Sequence, residues 1–335
     1  MGDCHIPPAS ERLMYGGQAV VEGVMMRSPR FFAVACRRES DGEIIVEQEN
    51  VESVVRSWQW MNRPFLRGVL ALVDAVYTGT KALMYSANVQ AADIGAGPVE
   101  GAEMAAPDAP LINGIVIGGT VFLSLALGIG LFWILPTLIT QYAQHLLRMG
   151  TVGEFATNLS DGVLRIVFFL GYVALISRLP NVQRVFQYHG AEHKVINTFE
   201  AGLPLTLENA RQSSRIHPRC GTNFIFVVLI VSIFVIALIS AIFGHPTIAM
   251  RIPINLGSVL IVVGVSYEIL KFAGKYRDQW WAKILIAPGL ATQYMTTRIP
   301  DDSMIEVALA ALTSVYAREH EDAPSEPAAG FPAVE

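Results

Sequence analysis

The stretch Tyr188-His189-Gly190-Ala191-Glu192-His193 sets two imidazoles four residues apart, with a carboxylate beside the second. On a helix, such residues share one face, a turn apart. The spacing is H-x-x-E-H, in which the two imidazoles hold a metal ion and the glutamate is general base for a bound water. His189 and His193 are therefore candidate ligands, Glu192 the candidate catalytic base, and a divalent metal, zinc by its donor preferences, the expected cofactor. Catalytic zinc usually takes three protein ligands, and His217-Pro218-Arg219-Cys220-Gly221 supplies two candidates for the third. His217 would be carried back by the return of the chain. Cys220 is its rival, and a thiolate beside Arg219 and His217 could instead be a nucleophile. A plainer reading stays open, in which the His and Glu side chains bond one another on a polar helix at a membrane surface.

Glu268 is the remaining candidate. It lies about one turn from the end of an apolar run, where an uncompensated carboxylate is costly. It is expected to face the His cluster as a further metal-side group, with an ion pair to Lys271 as the simpler alternative. Glu22, an acid among strand residues, is expected to point outward.

The elements around these residues are mostly apolar. The chain has 335 residues, 52% hydrophobic and 16% charged, with mean hydropathy +0.42. Soluble domains average about 25% charged residues, so the expected class is an α-helical integral membrane protein. A net charge of -5 and the lack of a basic stripe with interleaved aromatics exclude a nucleic-acid partner. Cys4, Cys36 and Cys220 form no disulfide framework and suit reduced segments. No apolar run opens the chain, so no signal peptide is expected.

Residues 1–62 read as a small cytosolic β-meander, with strands at 19–26, 31–37 and from 44 on, and a tight turn at Gly16-Gly17-Gln18. Residues 63–90 read as an amphipathic helix with an apolar stripe of Leu66, Val69, Leu70, Val73, Val76 and Tyr77. A flexible acidic linker is expected over 91–110. Four spans follow, at 111–140, 163–179, 223–243 and 253–272, with Arg165 snorkelling near one end of the second. Between the middle two lies the 180–222 loop that carries both motifs. Residues 273–316 read as an interfacial segment, anchored at Trp280-Trp281 and broken at Pro288-Gly289, followed by an amphipathic helix. Residues 317–335 read as a disordered tail.

Orientation follows from Lys and Arg. Residues 1–110 carry nine, the first loop only Arg148, the 180–222 loop five, the third loop only Arg251, and the C-terminal part five. The rich segments should face the cytosol. This expects a multi-pass protein of the bacterial inner (cytoplasmic) membrane, surrounded by membrane lipids, with both termini and both motifs cytosolic.

Several segments together resemble the YqhQ-like family of uncharacterised bacterial membrane proteins. They are Tyr15 through Arg27, Pro64-Phe65-Leu66-Arg67-Gly68, Gln187 to Lys194, His217 to Asn223, Ser266-Tyr267-Glu268, and Ala287 through Arg298. The resemblance runs from about Tyr15 to Ala311. It implies a membrane location and a metal-dependent enzyme of no established reaction, and it nominates His189, Glu192, His193, His217 and Cys220. The H-x-x-E-H run also resembles the inverted zinc peptidases, but over this motif alone, and those are soluble enzymes, so neither fold nor substrate transfers.

Two function classes follow. One is a membrane-embedded, metal-dependent hydrolase acting on a lipid-linked or membrane-peptide substrate. The other is a non-catalytic scaffold that docks a partner and uses the cluster as a brace. A transporter is a weaker third, for lack of an evident inverted repeat. The orientation is directly testable: a cysteine placed at Arg211 should react with a thiol reagent only after the membrane is opened, and labelling from outside would overturn the placement of the site.

Overall fold

Four strands, β1 (Gly16–Val20), β2 (Gly23–Arg27), β3 (Phe31–Arg37) and β4 (Ile44–Asn50), pair antiparallel in sequence order. They belong to a computed structural model that describes residues 15–51, 63–93, 119, 122–124, 126–146, 154–243, 248–276 and 279–321. The expected meander is present, but two details of its start differ. The 19–26 segment is a hairpin, not one strand: Val20 pairs with Gly23, and Val21-Glu22 make the turn. Glu22 holds φ +49 there, the left-handed region that a non-glycine residue rarely adopts. Its carboxylate pairs with Arg184 and accepts from the Tyr188 hydroxyl at 3.3 Å, which fixes the turn against a helix. Gly16 and Gly17 lie in β1, paired with Arg27 and Met26, rather than in a turn.

Strand side chains alternate between faces, and here both faces are apolar. Met25, Phe32, Val34 and Cys36 pack under Ala82, Tyr85 and Val89 of α1 (Leu66–Asp93). Val24, Met26, Ala33 and Ala35 pack against α4 (Pro180–Glu200) and α9 (Asp302–Glu321). From α4 come Tyr188, Ala191, Val195, Ile196 and Phe199; from α9, Met304, Ile305, Ala308, Leu312 and Val315. The sheet is thus the middle of three layers. Glu319, 5% exposed, clamps the end of α9 to the β2–β3 turn by accepting from Ser28 Oγ at 2.6 Å and Arg30 Nε at 2.7 Å.

Four helical stretches are long and apolar enough to cross a membrane: Phe122–Leu146, Ala156–Ile176, Gly221–Ser240 and Leu256–Lys275. The first contains a π-helical turn, Gly130–Ile134, that leads into α2 (Leu135–Leu146). The others belong to α3 (Glu154–Ile176), α6 (Gly221–Phe243) and α7 (Ile248–Lys275). A short α5 (Leu207–Gln212) lies between α4 and α6, capped by Thr206, whose Oγ1 accepts from Asn209 N. The expected break at Pro288-Gly289 does not occur: α8 runs unbroken over Trp280–Thr296, with Gly289 set flush against Asn223 of α6.

Of the expected stripe on α1, only Leu70 is buried; Leu66, Val73, Val76 and Tyr77 face outward. Before Ala82 the inward side is otherwise small and polar, with Gly68 against Tyr267 of α7 and Gly79 against Gln18 of β1. Asp74, buried there, pairs with Arg27. The tail expected from 317 begins as helix, because α9 continues to Glu321; the rest of it, and the linker from residue 94 on, lie outside the described residues.

Gly190 is where α4 meets the strand-like segment after α8. Arg298 N–H donates to Phe186 O at 2.8 Å, and a Cβ on Gly190 would overlap the Arg298 carbonyl oxygen. Gly190→Ala should therefore destabilise the protein by about 1–3 kcal/mol, as overpacking does. Thermal unfolding of the purified protein would show this, and Gly274→Ala, which meets nothing within 4 Å, should be neutral or mildly stabilising.

Candidate metal centre

The α4 helix begins at Pro180, whose fixed φ and missing N–H suit a first turn. It ends in a C-cap with Gly202 at φ +73, where Gly202 N–H reaches Phe199 O and Leu203 N–H reaches Thr198 O. Between these ends, Tyr188, Ala191, Val195 and Phe199 take one face into the sheet core. That leaves His189 and His193 together on an adjoining face, their ring centroids 4.4 Å apart.

The chain after α5 is laced onto the same helix. Lys194 Nζ donates to the carbonyls of Arg211 and Ser213, each at 2.7 Å, and Asn197 Nδ2 donates to Ser214 O and Ile216 O. Gln293 of α8 holds His217 by both backbone groups: His217 N–H donates to Oε1 at 2.9 Å, and Nε2–H donates to His217 O at 2.8 Å. This lacing returns the chain so that Cys220 Sγ lies 3.1 Å from His189 Nε2. His189, His193 and Cys220 each offer a ligand atom, all within 4.8 Å of one another.

The tautomers follow from the partners. His189 Nδ1 lies 2.9 Å from Thr296 O, and His193 Nδ1 lies 2.7 Å from Arg215 O. A carbonyl oxygen only accepts, so each Nδ1 carries the hydrogen. In the neutral ring each Nε2 then has a free lone pair, and both are aimed into the cluster. This is the arrangement by which a backbone carbonyl orients a ligating imidazole.

Glu192 closes the group. Its Oε2 lies 3.6 Å from His193 Nε2 and 3.9 Å from His189 Nε2. The residue is 5% exposed. Burial pushes its carboxyl above the usual carboxylate range, and the neighbouring His189 and His217 only partly oppose this. Burial likewise holds the His193 imidazole below its ordinary value, with its hydrogen bond to Cys220 opposing. The lowered His193 value favours the neutral ring that ligation requires. Gly17 of β1 backs Glu192: a Cβ there would lie 2.7 Å from its Cγ and 2.8 Å from Oε1.

The other two expected site residues are placed differently. His217 is buried, its ring 5.7 Å from that of His193, but its Nε2 lies 3.1 Å from Glu200 Oε1, which also binds Arg219. It lines the wall of the cluster, outside the group of His189, His193 and Cys220 whose donor atoms lie within 4.8 Å of one another. Glu268 is not in the group either. It forms a forked pair with Arg67 of α1, Nε to Oε1 at 2.7 Å, and accepts from Phe65 N–H at 3.2 Å. Gly68 and Gly264 let α1 approach α7 closely enough for that pairing. Sequence reasoning missed Arg215, Gln293 and Thr296, which act through main-chain or amide groups, and Gly17, whose only signal was the Gly16-Gly17 doublet.

A family model described as "Protein of unknown function (DUF1385)" matches residues 63–318. The chain is 34% identical over 312 residues to "Uncharacterized protein YqhQ" of Bacillus subtilis (strain 168), which covers 91% of each chain. No solved structure matches. By the extent of the family match, the chain belongs to the DUF1385 family, which is described as being of unknown function.

Proposed function

We propose that this protein is an integral membrane metalloenzyme, a hydrolase acting on a lipid-linked or membrane-peptide substrate at the cytosolic face. The observation that carries the reading is the pair of Nε2 lone pairs. Both are fixed by backbone carbonyls, aimed at one thiol, and within 4 Å of a buried carboxylate. That donor set, two neutral imidazoles and one thiol, fits zinc with one position left open. When bound, the metal supplies a water acidified to near neutral pH. Glu192 accepts the proton at Oε2, its raised affinity bringing it closer to the working pH of a general base. Gly17 and the sheet keep bulk water from the back of that carboxylate.

The membrane setting is supported by apolar side chains turned outward along the span-length helices, among them Phe122, Leu127, Phe234, Leu238 and Ile242, each more than 60% exposed. An aqueous monomer rarely carries such a surface. The Lys and Arg distribution supports a cytosolic placement of both termini and of the cluster.

Metal analysis of the purified protein tests the proposal. Stoichiometric zinc is expected, falling at least tenfold in occupancy or affinity in His189→Ala, His193→Ala and Cys220→Ala, as loss of a ligand should exceed the 10–100-fold typical of outer partners. Glu268→Gln should leave metal content unchanged while lowering thermal stability through the lost Arg67 pair. Protein that stays metal-free under reducing conditions would leave the cluster a structural brace.

The metal-free protein gives a second test. Glu192 has a folded pKa above its unfolded value, so the folded state binds more protons and stability falls as pH rises through the carboxylate range. Glu192→Gln should therefore raise the melting temperature of the metal-stripped protein at pH 7, and the gain should vanish as pH drops below about 4, the ordinary carboxylate range. An unchanged or lowered melting temperature at pH 7 would mean that the carboxylate is not buried against a penalty.

A further inference from the structure

A second polar group lies away from the His cluster, between α2 and α3. Trp133, Thr137, Thr140 and Gln144 recur at spacings of four, three and four, and so share one face. On α3, Asn158, Asp161 and Arg165 recur at spacings of three and four, with Thr157 one turn before Asp161. The two faces meet: Gln144 Nε2 donates to Thr157 Oγ1 at 2.9 Å, Thr137 Oγ1 donates to Asp161 Oδ2 at 3.3 Å, and the Arg165 guanidinium lies over the Trp133 ring, 4.8 Å from its centroid. Arg165 does not snorkel; it is 3% exposed. Nine residues in from Ala156, it lies roughly 14 Å along the helix, near the middle of the stretch.

Thr140, Asn158 and Asp161 are equally enclosed, at 4 to 5% exposed. Among the described residues, Thr140 Oγ1, Asn158 Nδ2, Asp161 Oδ1 and Arg165 Nε meet no hydrogen-bond partner. A buried polar atom left unmatched is costly, and this seam would hold several within a few turns. Their demands are complementary: an amide and a guanidinium N–H that must donate, a carboxylate oxygen that must accept, and a hydroxyl that can do either. The charges of Asp161 and Arg165 cancel, so an ion of either sign would be opposed by one of the two. The matching ligand is small, neutral, and both donor and acceptor. Lipid hydroxyls are shut out by the burial of all four residues.

We propose that the α2–α3 seam is a water site, holding ordered water from the Gln144–Thr157 end of the helices inward to Arg165 and Trp133. Buried waters of this kind make about three hydrogen bonds each to otherwise unmatched groups. The seam would thus be a hydrated half-path into the span, separate from the metal centre. This rests on the membrane reading above.

Water-edited solid-state NMR of the protein in deuterated-lipid nanodiscs tests it. Magnetisation from water should reach Asn158 Nδ2 and Arg165 Nε several-fold faster than the methyls of Leu138 and Val167, which face outward on the same helices. Thr140→Val and Asn158→Leu, each removing one hydrogen-bonding partner of the water, should abolish the transfer to Arg165. Either variant suffices if the other fails to fold. Slow transfer to Asn158 and Arg165 with equally slow Leu138 and Val167 would overturn the water site alone. Fast transfer to Leu138 and Val167 as well would overturn the membrane reading and the seam with it. With protonated lipid, magnetisation reaching Arg165 from lipid hydroxyls rather than water would also overturn the proposal.

Discussion

Burial of one carboxylate, Glu192, between two imidazoles sets the terms for the elements around it. An isolated ionised carboxyl is expelled from a low-dielectric interior unless it is paired or protonated. Here burial raises the proton affinity of the carboxyl, and the neighbouring imidazoles offset that only in part. Its near neighbours are His193 and His189, whose other nitrogens are committed to main-chain carbonyls from two different elements. That commitment requires α8 to end beside α4 and the chain before α6 to return along it. Gln293, Lys194 and Asn197 enforce the return, using long polar side chains to hold irregular backbone where no sheet or helix could.

The three-layer domain follows from the same need for rigidity. This four-stranded sheet alone would leave two apolar faces in water. Covering it with α1 on one side and α4 with α9 on the other buries both sets of alternating side chains. It also fixes α4 along its length, so the rotation of that helix, and with it the direction of His189 and His193, is set by Tyr188, Ala191, Val195 and Phe199 in the core. Gly17 matters for the opposite reason. It leaves room for Glu192 between helix and strand, where any side chain would displace the carboxylate.

Much of this was legible in the sequence, and the exceptions have physical causes. The helix bearing the motif, the four apolar stretches and the meander follow from spacing and hydropathy, signals that act over many residues. The hairpin at Val21-Glu22 was hidden because its turn lacks the usual Asn-Gly or Asp-Gly chemistry; tertiary partners, Arg184 and Tyr188, hold Glu22 in place instead. Pro288 suggested a break that packing of α8 on α6 overrides. Glu268 was misplaced for a similar reason: its partner Arg67 lies two hundred residues away in sequence, while Lys271 and the His motif were the visible neighbours. The choice between His217 and Cys220 depended on Glu200, and no local pattern announces that a carboxylate at the end of one helix will take the imidazole of a distant loop.

Helix α1 joins the sheet to the apolar helices, and its two sides differ in character. Over residues 66–79 its inward side holds Gly68, Asp74, Thr78 and Gly79 beside Leu70, while Leu66, Val73, Val76 and Tyr77 face outward, the reverse of an amphipathic helix docked on an apolar core; farther on, Ala82, Tyr85 and Val89 pack on the sheet in the ordinary way. Small residues inward allow close approach to α7 and β1, so that contact comes from backbone proximity and from the Arg67–Glu268 and Arg27–Asp74 pairs. Such pairs are worth little on a wet surface. Beside hydrocarbon they are shielded less, and the apolar outward face needs no protein cover. The inverted pattern is therefore self-consistent for a helix lying along the proposed membrane face. There, the polar contacts that would be weak in water hold the sheet, and with it the back wall of the candidate metal centre, to the apolar helix bundle.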